Sequence, residues 1–571
     1  MSYRRKKLLA LFCATALSMT AVAGCTGTKS STGNVVSSET ETNAEETSAQ
    51  SEAGTFSSAD MFTERDLAGT YEESGAVYVT LSDDGITGET DGVVIDGQMV
   101  TITAEGTYIF SGTLSEGQIV VDADNAKVQI VFDNVDITCA SSAAVYVKSA
   151  EKVFVTLAEG SQNTLRNTDE YVAIDDNNID AVIFAKSDLT LNGTGSLTII
   201  SAEGHGIVSK DDLKIIGGTY DITAAGHALS GKDSVRIADG TFILTAEKDG
   251  IHAYIADGDF TITSDGDGMD ASNIVQIEDG TLDITAGGGS ANSLKTHESD
   301  VPGGPGGGMP QNGEKPDGEN MPQDTTTDES GTSTKGIKAG GGMYLNGGTY
   351  QIDSADDSIH SNANITIADG TYTLATGDDG VHADDALIVN GGTITVTESY
   401  EGLEGLAVTI NDGTIDITAS DDGINTAGEK MELNGGYIHI LAGGDGVDSN
   451  GDLTINGGEI YIDGPSDNGN SAIDYGDRSS AYVNGGTLVA IGSSGMAGVM
   501  SDSSKQKVLM VKLGEQMEAG NVVLTDSEGN VIVSYTALKT YDCVIISTAE
   551  VESGATYTLT TSGTTTEVTA E

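Results

Sequence analysis

The sequence predicts an all-β protein whose body is a parallel β-helix with about 22 residues in each coil and a small C-terminal β cap. Three observations predict this fold. A Gly-Thr dipeptide recurs at spacings of mostly 21 or 22 residues. Each repeat holds short apolar runs separated by glycine turns, and the periodicity of an amphipathic helix is absent.

The Gly-Thr repeat marks a turn that is followed by a strand. In the unit from Ala386 to Thr397, a short apolar strand ends at a glycine pair, and the next strand alternates apolar and polar residues. Each coil therefore has room for about three strands of four or five residues and none for a helix. The glycines that precede a threonine are Gly218, Gly240, Gly280, Gly348, Gly370, Gly392, Gly413 and Gly486.

The charge balance restricts the partners. The chain has 88 Asp and Glu residues against 26 Lys and Arg, a net charge of −62. Such a surface repels nucleic acid, which is therefore excluded as a partner, and it also repels anionic lipid. We expect divalent cations outside the cell, calcium (Ca2+) above all, to neutralise part of this charge.

The N-terminal residues have the pattern of a lipoprotein signal. Basic residues at 4–7 precede an apolar run from Leu8 to Val22, which is short for a membrane span. The run ends in a small-residue cleavage pattern, so residues 1–24 are predicted to be a signal peptide and Cys25 the lipidated N-terminus. An ordinary signal peptide with a chance cysteine is the alternative. The predicted location is extracellular, with a lipid anchor as the sole contact with the cell membrane.

Composition divides the rest of the chain. Residues 25–60 are rich in Ser, Thr and Glu and are predicted to be a disordered tether. Residues 61–496 form the predicted β-helix, interrupted at 297–335 by a Gly- and Pro-rich surface insertion with five of the six prolines. Residues 497–571 are rich in Val and lack the glycine turns, which predicts a β domain or cap on the open edge of the last coil.

An acidic pair, a glycine and an apolar residue recur in one strand of many coils, as in Asp378-Asp379-Gly380-Val381. These carboxylates would stack about 4.8 Å apart, where unit charges repel by roughly 3 to 4 kcal/mol at an effective dielectric constant of 20. Calcium accepts six to eight oxygens from flexible carboxylates and carbonyls, so the pattern predicts calcium sites. The predicted ligands are Asp265, Asp267, Asp270, Asp356, Asp357, Asp378, Asp379, Glu401, Glu404, Asp421, Asp422, Asp445 and Asp448.

A competing interpretation is that Asp and Gly only form solvated turns. A second acidic residue after the apolar position, at Asp270, Glu404 and Asp448, favours metal binding over that interpretation.

The position after the apolar residue is expected to point outward, and it holds Lys338, His360 and His382. Together with Tyr344 and Tyr400, these are the predicted substrate-binding residues; a merely polar outer face is the alternative for the histidines. Lys338 is the candidate base if the protein is a lyase. An ordinary salt bridge within the carboxylate ladder is the interpretation that we favour for it.

Aromatic residues follow the Gly-Thr turn in several coils and share a strand face with aliphatic residues. Tyr220, Phe242, Tyr350 and Tyr372 are therefore predicted to form an internal stack and not a platform for sugar.

Four runs of the sequence resemble one family: Gly106 to Val121, Leu189 to Leu197, Ser209 to Leu213 and Gly231 to Ser234. They resemble the calcium-binding β-helix carbohydrate-binding family of polysaccharide-degrading clostridia, over about residues 75 to 495. The resemblance implies a right-handed parallel β-helix with bound calcium, similar in shape to family 9 pectate lyases, and binding to plant cell-wall polysaccharide. It implies no lyase activity, because no complete catalytic constellation is matched.

The primary functional hypothesis is a monomeric cell-surface protein that binds plant cell-wall polysaccharide, either pectic polyuronate or cellulose, with calcium. The alternatives are a calcium-dependent pectate lyase and a purely structural surface adhesin.

Overall fold

The computed structural model describes residues 61–88, 90–250, 254–295, 333–428, 430–476 and 478–570. Within them the chain is almost entirely β-structure and forms a parallel β-helix, which confirms the predicted fold class. The predicted signal peptide, Cys25, the tether and most of the insertion lie outside the described residues. In these ranges no helix has the length and apolar character that a membrane crossing requires.

Each complete coil has three strands, which pair with the equivalent strands of the next coil to form three parallel ladders. Ladder 1 contains β3 (Met99–Ile102), β5 (Gln118–Asp122), β7 (Val145–Ser149), β10 (Ala181–Ala185), β13 (His205–Ser209), β16 (Leu229–Gly231), β21 (Met269–Ala271), β24 (Ile337–Ala339), β27 (Ile359–Ser361), β30 (Val381–Val389), β32 (Leu403–Ile410), β34 (Ile424–Thr426), β37 (Val447–Ser449) and β40 (Ile473–Tyr475). At its start, β2 (Val93–Asp96) pairs antiparallel with β3.

Ladder 2 follows in each coil and includes the second halves of β30 and β32. Its other strands are β1 (Val77–Leu81), β4 (Gly106–Leu114), β6 (Lys127–Thr138), β8 (Lys152–Leu157), β11 (Asp188–Gly193), β14 (Asp212–Ile215), β17 (Ser234–Ile237), β19 (Tyr254–Ile255), β22 (Val275–Ile277), β25 (Met343–Leu345), β28 (Ile365–Ile367), β35 (Met431–Leu433), β38 (Leu453–Ile455) and β41 (Ala481–Val483).

Ladder 3 contains the strands that the Gly-Thr repeat opens, and the last residues of β6 pair with its first strand. Its strands are β9 (Gln162–Asn167), β12 (Ser196–Ser201), β15 (Thr219–Ala224), β18 (Thr241–Ala246), β20 (Asp259–Ser264), β23 (Thr281–Ala286), β26 (Thr349–Ser354), β29 (Thr371–Thr376), β31 (Thr393–Glu398), β33 (Thr414–Ala419), β36 (Tyr437–Ala442), β39 (Glu459–Asp463) and β42 (Thr487–Gly492).

The register of ladder 3 places equivalent side chains above one another inside the coil. Tyr350 stacks on Tyr372 with ring centroids 4.5 Å apart, and Tyr220, Phe242 and Phe260 form a second stack. All five rings are buried, which confirms the predicted internal stack.

Backbone conformation and close packing explain why the Gly-Thr turn contains glycine. Gly370 has φ +121°, and a Cβ at this position would lie 2.8 Å from the hydroxyl oxygen of Tyr372. Glycine is therefore required both for the backbone conformation and for the close approach of the ring.

The C-terminal strands are β43 (Leu509–Met517), β44 (Gly520–Thr525), β45 (Val531–Ala537), β46 (Tyr541–Ser547), β47 (Thr556–Thr561) and β48 (Thr564–Thr569). β46 pairs antiparallel with β42, so the last strand of ladder 3 is covered. At the other end, the short helix α1 (Glu64–Leu67) is capped by Thr63 and carries the buried Asp66, whose Oδ1 lies 2.5 Å from Nζ of Lys152. A 3-10 helix covers Ser290–Asn292.

Lys335, which was expected in the insertion, belongs to the coil. The carbonyl of Lys335 accepts a hydrogen bond from the N–H of Gly268 at 2.9 Å. The pairing of β24 with β21 begins at Ile337, and the backbone in front of it keeps the same register. The coil therefore resumes two residues before Ile337.

Candidate functional site

Ladder 1 carries two columns of polar side chains that run from coil to coil. The strand column is the second residue of each strand, and strand pairing places its members opposite one another: Asp270, Lys338, His360, His382, Glu404, Asn425, Asp448 and Asp474. The turn column lies three residues before the strand column and is aligned by backbone hydrogen bonds: Asp249, Asp267, Lys335, Asp357, Asp379, Glu401, Asp422 and Asp445.

In the Asp carboxylates of the turn column, the two oxygens have different roles. Oδ1 of Asp357 accepts from the N–H of Asp379 at 3.2 Å, and Oδ1 of Asp379 accepts from the N–H of Glu401 at 3.1 Å. The same bond joins Asp445 to Asp422 at 2.6 Å. One oxygen therefore ties each coil to the next, and the second oxygen is left for a cation.

Three lysines, Lys295, Lys335 and Lys338, neutralise one end of the columns. Nζ of Lys335 lies 2.7 Å from Oδ2 of Asp357 and 2.8 Å from Oδ1 of Asp356. Lys295 pairs with the same Oδ1 of Asp356 at 2.7 Å and also with Asp378. In these coils ammonium groups occupy the space between the carboxylates that were predicted to hold calcium.

Lys338 belongs to an ion pair. Its Nζ lies 3.2 Å from Oδ2 of Asp267 and 3.8 Å from Oδ1 of Asp270. Burial opposes the ammonium charge, but the two carboxylates outweigh it and raise the pKa of Lys338. A lysine base requires a lowered pKa, so this geometry favours the salt bridge over the catalytic role.

His360 and His382 lie in the middle of the columns with their rings 5.0 Å apart. Nδ1 of His382 lies 3.3 Å from Oδ2 of Asp379 and 3.5 Å from Oε2 of Glu404. Although burial opposes its charge, the surrounding carboxylates raise the pKa of His382 to about 10. Burial and Asp379 raise the pKa of Glu404 to about 8.

His360 differs from the expected outward orientation. It is 9% exposed, and its Nδ1 lies 2.8 Å from Oδ2 of Asp357. Its Nε2 lies 3.0 Å from Oδ1 of Asn362. The imidazole is enclosed because polar groups of its own turn contact both ring nitrogens.

Asp422, Asp445 and Asp448 form what we call the cation-free cluster. Their ligand oxygens lie within 4.8 Å of one another, and among the described residues no Lys, Arg or His forms an ion pair with them. Burial and the neighbouring carboxylates raise the pKa of Asp422 to about 8. The same causes raise the pKa of Asp445 to about 7 and that of Asp448 to about 6. When these groups ionise, the cluster carries negative charge that no side chain of the described residues compensates.

In the turn column, Glu401 lies between Asp379, which contacts His382, and Asp422 of the cation-free cluster. Burial, followed by Asp379 and Glu404, raises its pKa well above the ordinary value. The amide of Asn425 donates to Oε2 of Glu401 at 2.9 Å.

The remaining predicted residues occupy different places. Asp265 is exposed and lines a cavity of about 360 Å³ with Lys295 and Asp356, whereas Asp421 is half-buried in the turn before Asp422. Tyr400 lies at the site, since its N–H donates to the carbonyl of Asp378 at 2.6 Å. Tyr344 lies on β25 in ladder 2, opposite Gln276 and Thr366, and is not brought to the columns.

Sequence reasoning missed Lys295, Lys335 and Asp384. Lys335 stands two residues before Ile337, the spacing of the acidic residues in other coils, and this signal was available. Oδ1 of Asp384 lies 3.7 Å from Nε2 of His382, but β30 has a register shift at this point that no repeat predicts.

Comparison with known proteins gives one family. Residues 96–380 and 378–552 match the model of a family described as carbohydrate-binding domain-containing protein. A protein of that description from Acetivibrio thermocellus is 41% identical over 135 residues, which are 23% of this chain and 47% of that protein. The chain thus matches about half the length of this curated relative.

One solved structure also resembles the chain. It is described as the structure of the polysaccharide lyase-like protein from C. thermocellum, gadolinium derivative. It has 24% sequence identity and a TM-score of 0.31, and the match covers 62% of this chain and 97% of the other.

Proposed function

Since the chain belongs to the family of carbohydrate-binding domain-containing proteins, we propose that it binds plant cell-wall polysaccharide at the cell surface with calcium. Pectic polyuronate is the first candidate glycan and cellulose the second. The observation that carries the proposal is the cation-free cluster: three carboxylates within 4.8 Å of one another that no lysine or histidine of the described chain neutralises.

Calcium fits this cluster once its carboxylates are ionised. Carboxylates this close repel one another, and burial makes the repulsion stronger. Calcium takes six to eight oxygens, more than Asp422, Asp445 and Asp448 supply, so positions remain for water or for a ligand. The half-exposed side chains of Asp422 and Asp448 leave the cluster accessible from solvent.

Bound calcium also explains how a chain of net charge −62 could hold an anionic polymer. A polyuronate approaching the bare columns would be repelled. An ion with open coordination positions reverses the local field and accepts uronate carboxylates as ligands. In this proposal the ions form the bridge, and Tyr400, at the same turns, contributes an apolar contact with the sugar.

The two alternative functions, a pectate lyase and a structural adhesin, require different features of the site. A pectate lyase needs a base beside the ions, and Lys338 is held as a charged partner of Asp267 and Asp270. A structural adhesin needs no glycan site, and for that role the aligned carboxylates would be an electrostatic cost without a benefit. The proposed protein is a monomeric lipoprotein; its anchor at Cys25 rests on the sequence pattern of the N-terminus.

The experiment is a glycan array probed with the full chain in calcium and again in chelator. Binding to pectic polyuronates or to cellulose that disappears in chelator is the expected result. Equal binding in both conditions, or no binding to any plant polysaccharide, contradicts the proposal.

A further inference from the structure

The geometry around His382 points to a second kind of metal site. We propose that a transition-metal ion of the zinc class binds to Nδ1 of His382 and to the carboxylates of Asp379 and Glu404, with His360 as the fourth ligand. This site lies outside the cation-free cluster and does not depend on the proposed glycan function.

The distances are those of ligands that share one ion. Zinc lies about 2.0 to 2.2 Å from nitrogen and oxygen ligands, so two ligands of a tetrahedral site lie roughly 3.3 to 3.6 Å apart. Nδ1 of His382 lies 3.3 Å from Oδ2 of Asp379 and 3.5 Å from Oε2 of Glu404. The ligand atoms of these three residues all lie within 4.8 Å of one another.

His360 supplies a second nitrogen next to this set. Its ligand atom and those of His382 and Asp357 also lie within 4.8 Å of one another. Nδ1 of His360 is buried and has no hydrogen-bond partner, although Oδ2 of Asp357 is only 2.8 Å away.

The second nitrogen of His360 has an acceptor at hydrogen-bond distance, whereas that of His382 has a carboxylate farther away. Nε2 of His360 lies 3.0 Å from Oδ1 of Asn362, and Oδ1 of Asp384 lies 3.7 Å from Nε2 of His382. An acceptor at Nε2 of His360 keeps a proton on that nitrogen, so its Nδ1 can bind the ion; at His382 the ion replaces the proton on Nδ1. This arrangement outside the ligands is the one that metal-binding histidines usually have.

The ligand chemistry separates this site from calcium. Imidazole nitrogens bind zinc, nickel and copper, whereas calcium takes oxygen ligands. The lysines also do not reach this site. Lys335 contacts Asp357, one coil before Asp379, and no described lysine forms an ion pair with Asp379 or Glu404. The ligands come from three consecutive coils, those of β27, β30 and β32, so a bound ion would join these coils.

The test is calorimetric titration of the full chain with Zn²⁺ while calcium is saturating. We expect one zinc ion per chain, with affinity reduced at least tenfold in both His382→Gln and His360→Gln. X-ray absorption of the bound zinc should show scattering from two imidazole rings. The matched control is His439→Gln, a histidine of ladder 3 that pairs with Asp416 and should leave zinc binding unchanged.

Three results would overturn this site: no zinc bound in calcium, equal affinity in His360→Gln and the wild type, or equal affinity in His382→Gln and the wild type. Thermal unfolding of each metal-free variant, compared with that of the wild type, shows that its coils are folded. Asp448→Asn, in the cation-free cluster, should keep zinc and lose calcium-dependent binding, so a failure of this site and a failure of the proposed function are distinguishable.

Discussion

The backbone N–H of Asp445 donates to Oδ1 of Asp422 at 2.6 Å, across the step from one coil to the next. This bond uses one oxygen of the carboxylate, and no Lys, Arg or His in the described part of the chain forms an ion pair with the other. In two other coils the same backbone hydrogen bond is present, but the second oxygen has a cationic partner: Oδ2 of Asp357 pairs with Lys335, and Oδ2 of Asp379 pairs with His382. In the turn column the second carboxylate oxygen thus faces a lysine, a histidine or, at Asp422, no cationic side chain of the described residues. The predictions below test the lysine case and the cation-free case separately.

Stability in chelator should fall as the pH rises from about 6.5 to about 8.5. The pKa values of Asp422 and Asp445, about 8 and about 7 in the folded protein, lie above the ordinary value near 4. The folded state therefore binds more protons than the unfolded state, and the stability that these protons give is lost as the groups ionise. Thermal unfolding at several pH values measures this.

Calcium should reverse that loss, by about 2.7 kcal/mol when its concentration is a hundredfold above the dissociation constant. The difference in melting temperature between calcium and chelator is expected to be larger at pH 8.5 than at pH 6.5. Equal melting curves in calcium and chelator at both pH values would mean that the carboxylates are only turn residues.

Lys335→Met should destabilise the protein strongly. Its side chain is 13% exposed and joins Asp356 to Asp357. After its removal these buried carboxylates keep only Lys295 and His360, respectively, so the loss of the shared ammonium group should cost about 3 kcal/mol. The control is Lys232→Met, because Lys232 is 70% exposed and lies 3.7 Å from Asp233, where a change below about 1 kcal/mol is expected. The melting temperatures of the two variants give the comparison, and similar values would refute the role of Lys335.

Lys338→Ala distinguishes the binder from a lyase. Because Lys338 is held as a cation by Asp267 and Asp270, the wild type should release no unsaturated uronides from pectate in calcium. The variant should bind pectate at most a few-fold more weakly. Ultraviolet absorbance that rises with the wild type and not with Lys338→Ala would identify the protein as a lyase.

Cys25→Ala tests the predicted lipid anchor. If Cys25 is the lipidated residue, the variant should leave the membrane fraction or remain unprocessed in cells. Fractionation followed by immunoblotting measures this, with the wild type as reference. A variant that stays in the membrane fraction with normal processing would refute the lipoprotein signal.

The fold could be predicted because the information is local and repeated. The Gly-Thr turn, the alternation after it and the spacing of about 22 residues together leave a three-stranded coil as the solution. The aromatic stack of Tyr350 and Tyr372 follows from the same register.

The charge compensation could be predicted only in part. The acidic positions are visible in each repeat, but Lys295 and Lys335 stand on opposite sides of the insertion and come together only through the stacking of β24 on β21. The burial of His360 depends on the conformation of its own turn, which periodicity does not encode. The positions of the acidic residues in the repeat were therefore predictable. Which carboxylates pair with lysine, which pair with histidine and which have neither partner was not predictable.

The most direct test of the account is co-sedimentation of the full chain with insoluble pectate, measured for the wild type, Asp448→Asn and the control Asp283→Asn. Asp448 belongs to the cation-free cluster, whereas Asp283 is an exposed carboxylate of ladder 3. We expect the wild type and Asp283→Asn to sediment in calcium and not in chelator, and Asp448→Asn to lose at least tenfold in affinity. Equal calcium-dependent sedimentation of all three proteins would contradict a calcium bridge at this cluster.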